Sequence, residues 1–264
     1  MKDFLDGYYE NAFLRLVRQN STTLGLEVNG SSISNSFTLA TMPDASAVEV
    51  GTIINIPSSE FVTSSAAAIP GMPEYGIFLA ASNDVWVPAF RQVFCQEWGT
   101  KASPLATMST TSATKIEIAL PNGNPIVPLE IYAKVGFNLE IGYMWGMTGS
   151  ATDATVMSAR FGWSATYKDN CQVAWSQMAA AATNRQGWTV GRARITEYAS
   201  AASNKVSVNR LQENNNTAVT SDTGYVDVSN SQDFTKDAYL SFSWEPTGAG
   251  ADSGALYGYR LIIG

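Results

Sequence analysis

Histidine is absent from this chain of 264 residues. Its absence excludes the Ser-His-Asp and Cys-His nucleophile systems, histidine metal centres and the commonest general base. It also excludes a switch driven by histidine protonation within the chain. Only two cysteines occur, Cys95 and Cys171, and they form neither a C-x-x-C pair nor a disulfide framework, so both are expected to be buried free thiols. Charged residues make up 15%, well below the usual quarter, and the formal net charge is −7. An acidic chain of this kind does not attract a phosphate backbone over its whole surface, which excludes a dedicated nucleic-acid reader. No apolar run approaches the roughly 18 residues of a membrane helix. The start, Met1-Lys2-Asp3-Phe4 with Asp6 and Glu10 following, lacks the basic end and apolar core of a secretory signal, so the chain is expected to be soluble or already processed.

Proline is missing between Pro128 and Pro246, as expected where strand ladders need every N–H. Within that region Leu129, Ile131, Ala133, Val135, Phe137, Leu139, Ile141, Tyr143 and Trp145 are apolar at every second position. Strand side chains alternate between faces, so the pattern predicts a long β-surface with one apolar side. At about 3.3 Å per residue it would run roughly 55 Å, and Gly136 or Gly142 is expected to bend or divide it. Met157 to Tyr167 continue the alternation, and further strands are expected at Trp188–Val190, Val206–Val208, Tyr225–Val228, Tyr239–Glu245 and Ala255–Ile263. Upstream, Leu24, Leu26 and Val28 lead into Asn29-Gly30, a dipeptide that tolerates the positive φ angles of a tight hairpin, with the alternation resuming at Ile33. Strands are also expected around Val48–Ile56, Tyr75–Ala80, Val85–Val93 and Ile116–Leu120, before a turn at Pro121 to Pro125. Loops are expected over Val62–Glu74 and Lys101–Thr114, and a short Ala-rich helical turn over Ser176–Thr183.

Residues 1–19 read as an amphipathic helix, with Phe4, Tyr8, Ala12 and Leu16 in one i,i+4 row and Leu5, Tyr9, Phe13 and Val17 in the next. Asp3 and Asp6 early, with Arg15 and Arg18 late, match the helix dipole. Two roles follow: a lid over the β-domain, or an arm whose face of Phe4, Leu5, Tyr8, Phe13 and Leu16 docks on a neighbouring subunit or a membrane surface. The expected organisation is a helical arm over 1–20 and one antiparallel β-sandwich over 21–264.

Functional motifs are few. Arg185, Arg192, Arg194, Lys205 and Arg210 concentrate base locally, with Arg192 and Arg194 on one strand face, best read as solvated. Asn20-Ser21-Thr22, Asn29-Gly30-Ser31 and Asn215-Asn216-Thr217 match the glycosylation pattern at the rate an Asn/Ser/Thr-rich chain gives by chance. Glu130 and Glu140 stand too far apart along an extended strand for a carboxylate pair. Gly248 and Gly250 have no following helix to make a phosphate cradle. No catalytic, cofactor-binding or metal-ligating residue emerges, and the chain is not expected to be an enzyme.

The last two strands, Tyr239-Leu240-Ser241-Phe242-Ser243-Trp244-Glu245-Pro246 and Leu256-Tyr257-Gly258-Tyr259-Arg260-Leu261-Ile262-Ile263, resemble those that close the single jelly-roll capsid proteins of picorna-like icosahedral RNA viruses. The pattern of strands and long polar loops carries the resemblance over most of residues 21–264. The acidic autocleavage motif of some insect-virus members is not evident. The resemblance implies a jelly-roll shell subunit that builds a pseudo-T=3 particle with homologous sister subunits. It would be assembled in host cytoplasm and reside in the virion, touching packaged RNA weakly or indirectly, with a receptor the sequence does not identify. Neutral side walls fit such burial, since desolvating ions is costly. Two alternatives use the same alternation: a pore-forming toxin inserting 129–145 and 157–167 as a hairpin, and a carbohydrate-binding sandwich using exposed tryptophans.

Overall fold

A computed structural model describes residues 6–9, 12–18, 24–28, 31–33, 48, 50–72, 75–80, 86–89, 91–132, 137–148, 153–162, 170–178, 186–197, 205–214, 222–228 and 236–264. The protein is all-β, its sheets antiparallel throughout. The chain forms two compact units: one holds Met1–Glu60 with Glu74–Arg91, the other Phe61–Pro73 with Gln92–Gly264.

In the first unit, β1 (Asp6–Tyr9), β2 (Ala12–Arg18), β3 (Leu24–Val28) and β4 (Ser31–Ile33) form a sheet in chain order. Within the span expected to be a helix, 1–19, the described residues 6–9 and 12–18 are instead paired strands. Tyr9 pairs with Ala12, so two positions join β1 to β2. Tyr, Phe, Leu and Val favour a pleated surface as readily as a helix face, and pairing with β3 supplies backbone partners that an isolated amphipathic helix would lack. β3 pairs with β4, Val28 opposite Ser31, while the expected turn residues Asn29 and Gly30 lie outside the described residues. A second sheet, also in chain order, contains β5 (Ile53–Pro57), β6 (Tyr75–Ala80) and β7 (Trp86–Pro88). Ile54, Ile56 and Phe78 are buried there.

The second unit is a sandwich of two sheets. Its strands are β8 (Gln92–Trp98), β9 (Ala106–Thr110), β10 (Ile116–Glu117), β11 (Ile126–Val127), β12 (Asn138–Met147), β13 (Thr155–Gly162), β14 (Cys171–Met178), β15 (Gln186–Glu197), β16 (Lys205–Asn214), β17 (Asp222–Val228), β18 (Ala238–Pro246) and β19 (Asp252–Ile263). One sheet runs β10-β18-β13-β14, with β11 also on β18; the other runs β17-β16-β15-β12-β19-β8, with β9 also on β19. β8 and β9 lie end to end along β19, and β10 and β11 along β18, so each pair is one interrupted edge strand.

The inner faces carry the alternation read in the sequence. Ile141, Tyr143 and Trp145 from β12 and Met157 and Ala159 from β13 are fully buried, with Leu240, Phe242 and Trp244 from β18 and Tyr259 and Leu261 from β19. The Phe242 ring sits 5.7 Å from Tyr143 and 5.4 Å from Tyr259 across the sheets. Two polar tips in this core bond across the sheets: Tyr143 Oη donates to the Met157 carbonyl at 2.9 Å, and Trp145 Nε1 donates to Ser176 Oγ at 2.6 Å. These bonds join β12 to β13 and β14, tying one sheet to the other.

Three further expectations are corrected. The surface from 129 to 145, expected to be β and bent or divided at Gly136 or Gly142, begins instead with a single α-turn at Leu129–Tyr132 (α1), and β12 starts at Asn138 and runs through Gly142. The Pro128 carbonyl accepts from the Ile131 and Tyr132 N–H groups, and Leu129 N–H donates to Asp237 Oδ1 at 3.0 Å, closing the turn at both sides. Its adjacent Ile131 and Tyr132 are both buried, which strict alternation does not allow. Lys101–Thr114 is not all loop, since β9 lies inside it and its Ser/Thr composition serves an edge strand. Ser176–Met178 belongs to β14, where the Ser176 hydroxyl is needed by Trp145.

Candidate interaction surface

The groups with the chemistry of an active site lie at Glu97 on β8. Its carboxylate accepts from Asn122 Nδ2 at 2.8 Å and from Tyr259 Oη at 3.3 Å, with Cys95 on the same strand. Burial pushes the Glu97 carboxyl above its ordinary value, partly offset by the bonds from Tyr259 and Asn122. Burial also raises the Cys95 thiol far up, so it stays protonated and is neither nucleophile nor ligand. The Tyr259 phenol is raised first by burial and then by the acidic groups beside it, Cys95 and Glu97, the latter also its hydrogen-bond acceptor. All three shifts favour neutral forms, the signature of a packed polar cluster. Elsewhere Arg160, itself buried, donates to Ser243 Oγ at 2.8 Å and to the Asn170 carbonyl at 2.9 Å, spending its charge on structure. Among the described residues no group of three His, Cys, Asp or Glu side chains is placed to hold a metal ion.

The outer face of the larger sheet has a different character. Strand register sets Trp98, Gly258, Met144 and Trp188 in one row across β8, β19, β12 and β15, and Gln96, Arg260, Gly142 and Val190 in the next. A Cβ at Gly258 would meet the Trp98 ring at 2.1 Å, and one at Gly142 would meet the Trp188 ring at 2.6 Å. The two indoles therefore lie down over the middle strands, in the space those glycines leave. Their planes differ by 13° with centroids 5.6 Å apart, an offset-parallel pair, and the Arg260 guanidinium sits 6.0 Å from the Trp188 centroid. Trp98 is 49% exposed, an unusual degree for so large an apolar side chain.

The next row across β19, β12 and β15 carries Ile262, Glu140 and Arg192. Arg192 Nε donates to Glu140 Oε2 at 2.7 Å, an ion pair with an exposed cation and a nearly buried carboxylate. Arg192 and Arg194 are both exposed on one face of β15, as the alternation predicted.

Of the residues expected to form a docking face, Phe4 and Leu5 lie outside the described residues. Position 8 stands opposite position 13 in the β1–β2 hairpin, and position 16 pairs with position 26. Positions 13 and 16 are an odd number of residues apart on β2, so a strand does not gather them on the single face a helix would give. The Trp98, Trp188 and Arg260 patch was not singled out in the sequence. Gly142 and Gly258 carried the signal, because glycine inside a strand marks close approach of another group; here the group is an indole, and neither glycine ends its strand.

No model of a known protein family matches the chain, and no curated protein matches it. Among solved structures, lectin I from Ulex europaeus, in complex with the methyl glycoside of α-L-fucose, is similar over 66% of this chain and 98% of its own, at 10% identity and a TM-score of 0.23. A likeness at that score carries no argument about fold or ligand.

Proposed function

We propose that this chain is a structural shell protein: a jelly-roll subunit that joins sister subunits of similar fold in a pseudo-T=3 icosahedral particle around an RNA genome, as in picorna-like viruses. Nested strand pairing carries this reading. The outermost pair is β8/β9 with β19, the next β10/β11 with β18, then β12 with β15, and the innermost β13 with β14. That is one long antiparallel ribbon, and the pairings β12–β19 and β13–β18 are the contacts made when such a ribbon is rolled into two sheets, the plan of jelly rolls. The β16–β17 hairpin is an addition at the edge beyond β15. Composition supports the same role: a surface poor in charge loses little on burial against neighbours. At net charge −7 the chain meets packaged RNA weakly or indirectly.

The pore-forming alternative has less support, because the apolar rows of β12 and β13 are buried within the sandwich and these strands pair with β15, β19, β14 and β18 rather than with each other. Sedimentation of the protein from its native source tests the reading. A closed particle containing two related subunits is the expected result, and a monomer at all concentrations would overturn it.

A further inference from the structure

We infer that the outer face of the β8-β19-β12-β15 sheet is a binding site for an acidic saccharide, a pyranose bearing a carboxylate, with Trp98 as the stacking surface and Arg260 as the anion partner. This inference is independent of the shell reading and would hold for a sandwich of any assembly state.

Trp98 keeps about half its surface in water although its ring is laid flat and held by Gly258 beneath it and Trp188 beside it. A rigid exposed indole offers the apolar C–H face of a sugar ring a partner that needs no ordering on binding. Glycines at 142 and 258 keep the rings down on the sheet, and among the described residues Met144, itself only partly exposed, is the one large side chain in the row between the two indoles. The platform is therefore open, as a ring-stacking ligand requires.

Charge narrows the ligand. Arg192 is already paired with Glu140, whereas no carboxylate among the described residues pairs with Arg260, whose guanidinium rests near the Trp188 ring. A cation–π contact at a part-exposed site is weaker than a bidentate bond to a carboxylate, so the long Arg260 side chain gains by exchanging one for the other. One uncommitted guanidinium matches one carboxylate. A nucleic-acid strand would bring a phosphate with every base to a protein of net charge −7 and is disfavoured. A second copy of the chain is disfavoured as occupant because the patch centre is a single exposed indole beside an unpaired cation, with Arg192 and Arg194 keeping the adjoining strand solvated.

The test titrates the full chain with 3′-sialyllactose, with lactose and with oligouridylate, read by tryptophan fluorescence, for wild type, Arg260→Gln and Trp98→Ala. Saturable binding of sialyllactose is expected, with lactose at least about tenfold weaker. Arg260→Gln should bring the two sugars within about twofold of each other, and Trp98→Ala should weaken both. Arg260 is half-exposed, so its variant remains informative if Trp98→Ala folds poorly. Equal affinity for both sugars in wild type, tighter binding of oligouridylate, or no sugar binding together with Trp98-dependent self-association would each overturn the assignment.

Discussion

Ser176 shows how much a single hydroxyl carries in this core. It is fully buried and accepts from Trp145 Nε1, itself fully buried, so Ser176→Ala leaves an indole N–H without its partner. The expected cost is about 1–3 kcal/mol, seen as a lower denaturant midpoint with an unchanged slope. Glu97 gives a pH signature. Its carboxyl is raised by burial, so the folded state holds the proton more tightly than the unfolded chain. Its contribution to stability is present below the unfolded carboxyl value of about 4.3 and is lost as pH rises through the raised folded value. Glu97→Gln should remove that loss, so denaturant midpoints measured across this window should fall less with rising pH than in wild type. A steeper fall in the variant would mean that the ionised carboxylate stabilises the fold. Neither residue announces itself in the sequence, because a serine in an Ala/Ser-rich stretch and a lone glutamate acquire their roles only when β14 meets β12 and when Asn122 and Tyr259 converge on β8.

At the scale of elements, alternation was a sound guide wherever one face of a strand is buried, as in β12, β13, β18 and β19. It misled at residues 129–132, where an α-turn buries adjacent side chains, and at residues 6–9 and 12–18, where an aromatic-rich segment satisfies a helical period yet forms paired strands. Edge strands such as β9 were illegible because their solvent-facing composition is that of a loop. The Trp98–Trp188 pair was illegible for another reason: the residues are far apart in sequence and only register across four strands brings them together. Gly258→Ala tests that register. The added methyl should lift Trp98 and abolish the near-ultraviolet circular dichroism of the coupled indoles, at an overpacking cost of about 1–3 kcal/mol because Gly258 lies buried beneath the Trp98 ring. Deleting residues 1–19 removes β1 and β2 and should impair assembly while the indole signals of the second unit persist; loss of those signals would show that the deleted strands serve folding instead.

At the scale of the whole molecule the leading feature is the nested antiparallel ribbon of the second unit. A fold of this kind with weakly charged walls gains little from any one contact, but a closed symmetric lattice multiplies contacts and makes stability depend on assembly. Imaging the protein in its native assembly, at a resolution that allows the area buried against neighbours to be measured, tests this most directly. The shell reading predicts a closed particle in which each copy buries well over about 1,000 Å² in total against sister subunits, and dispersed chains or contacts below about 1,000 Å² would contradict it.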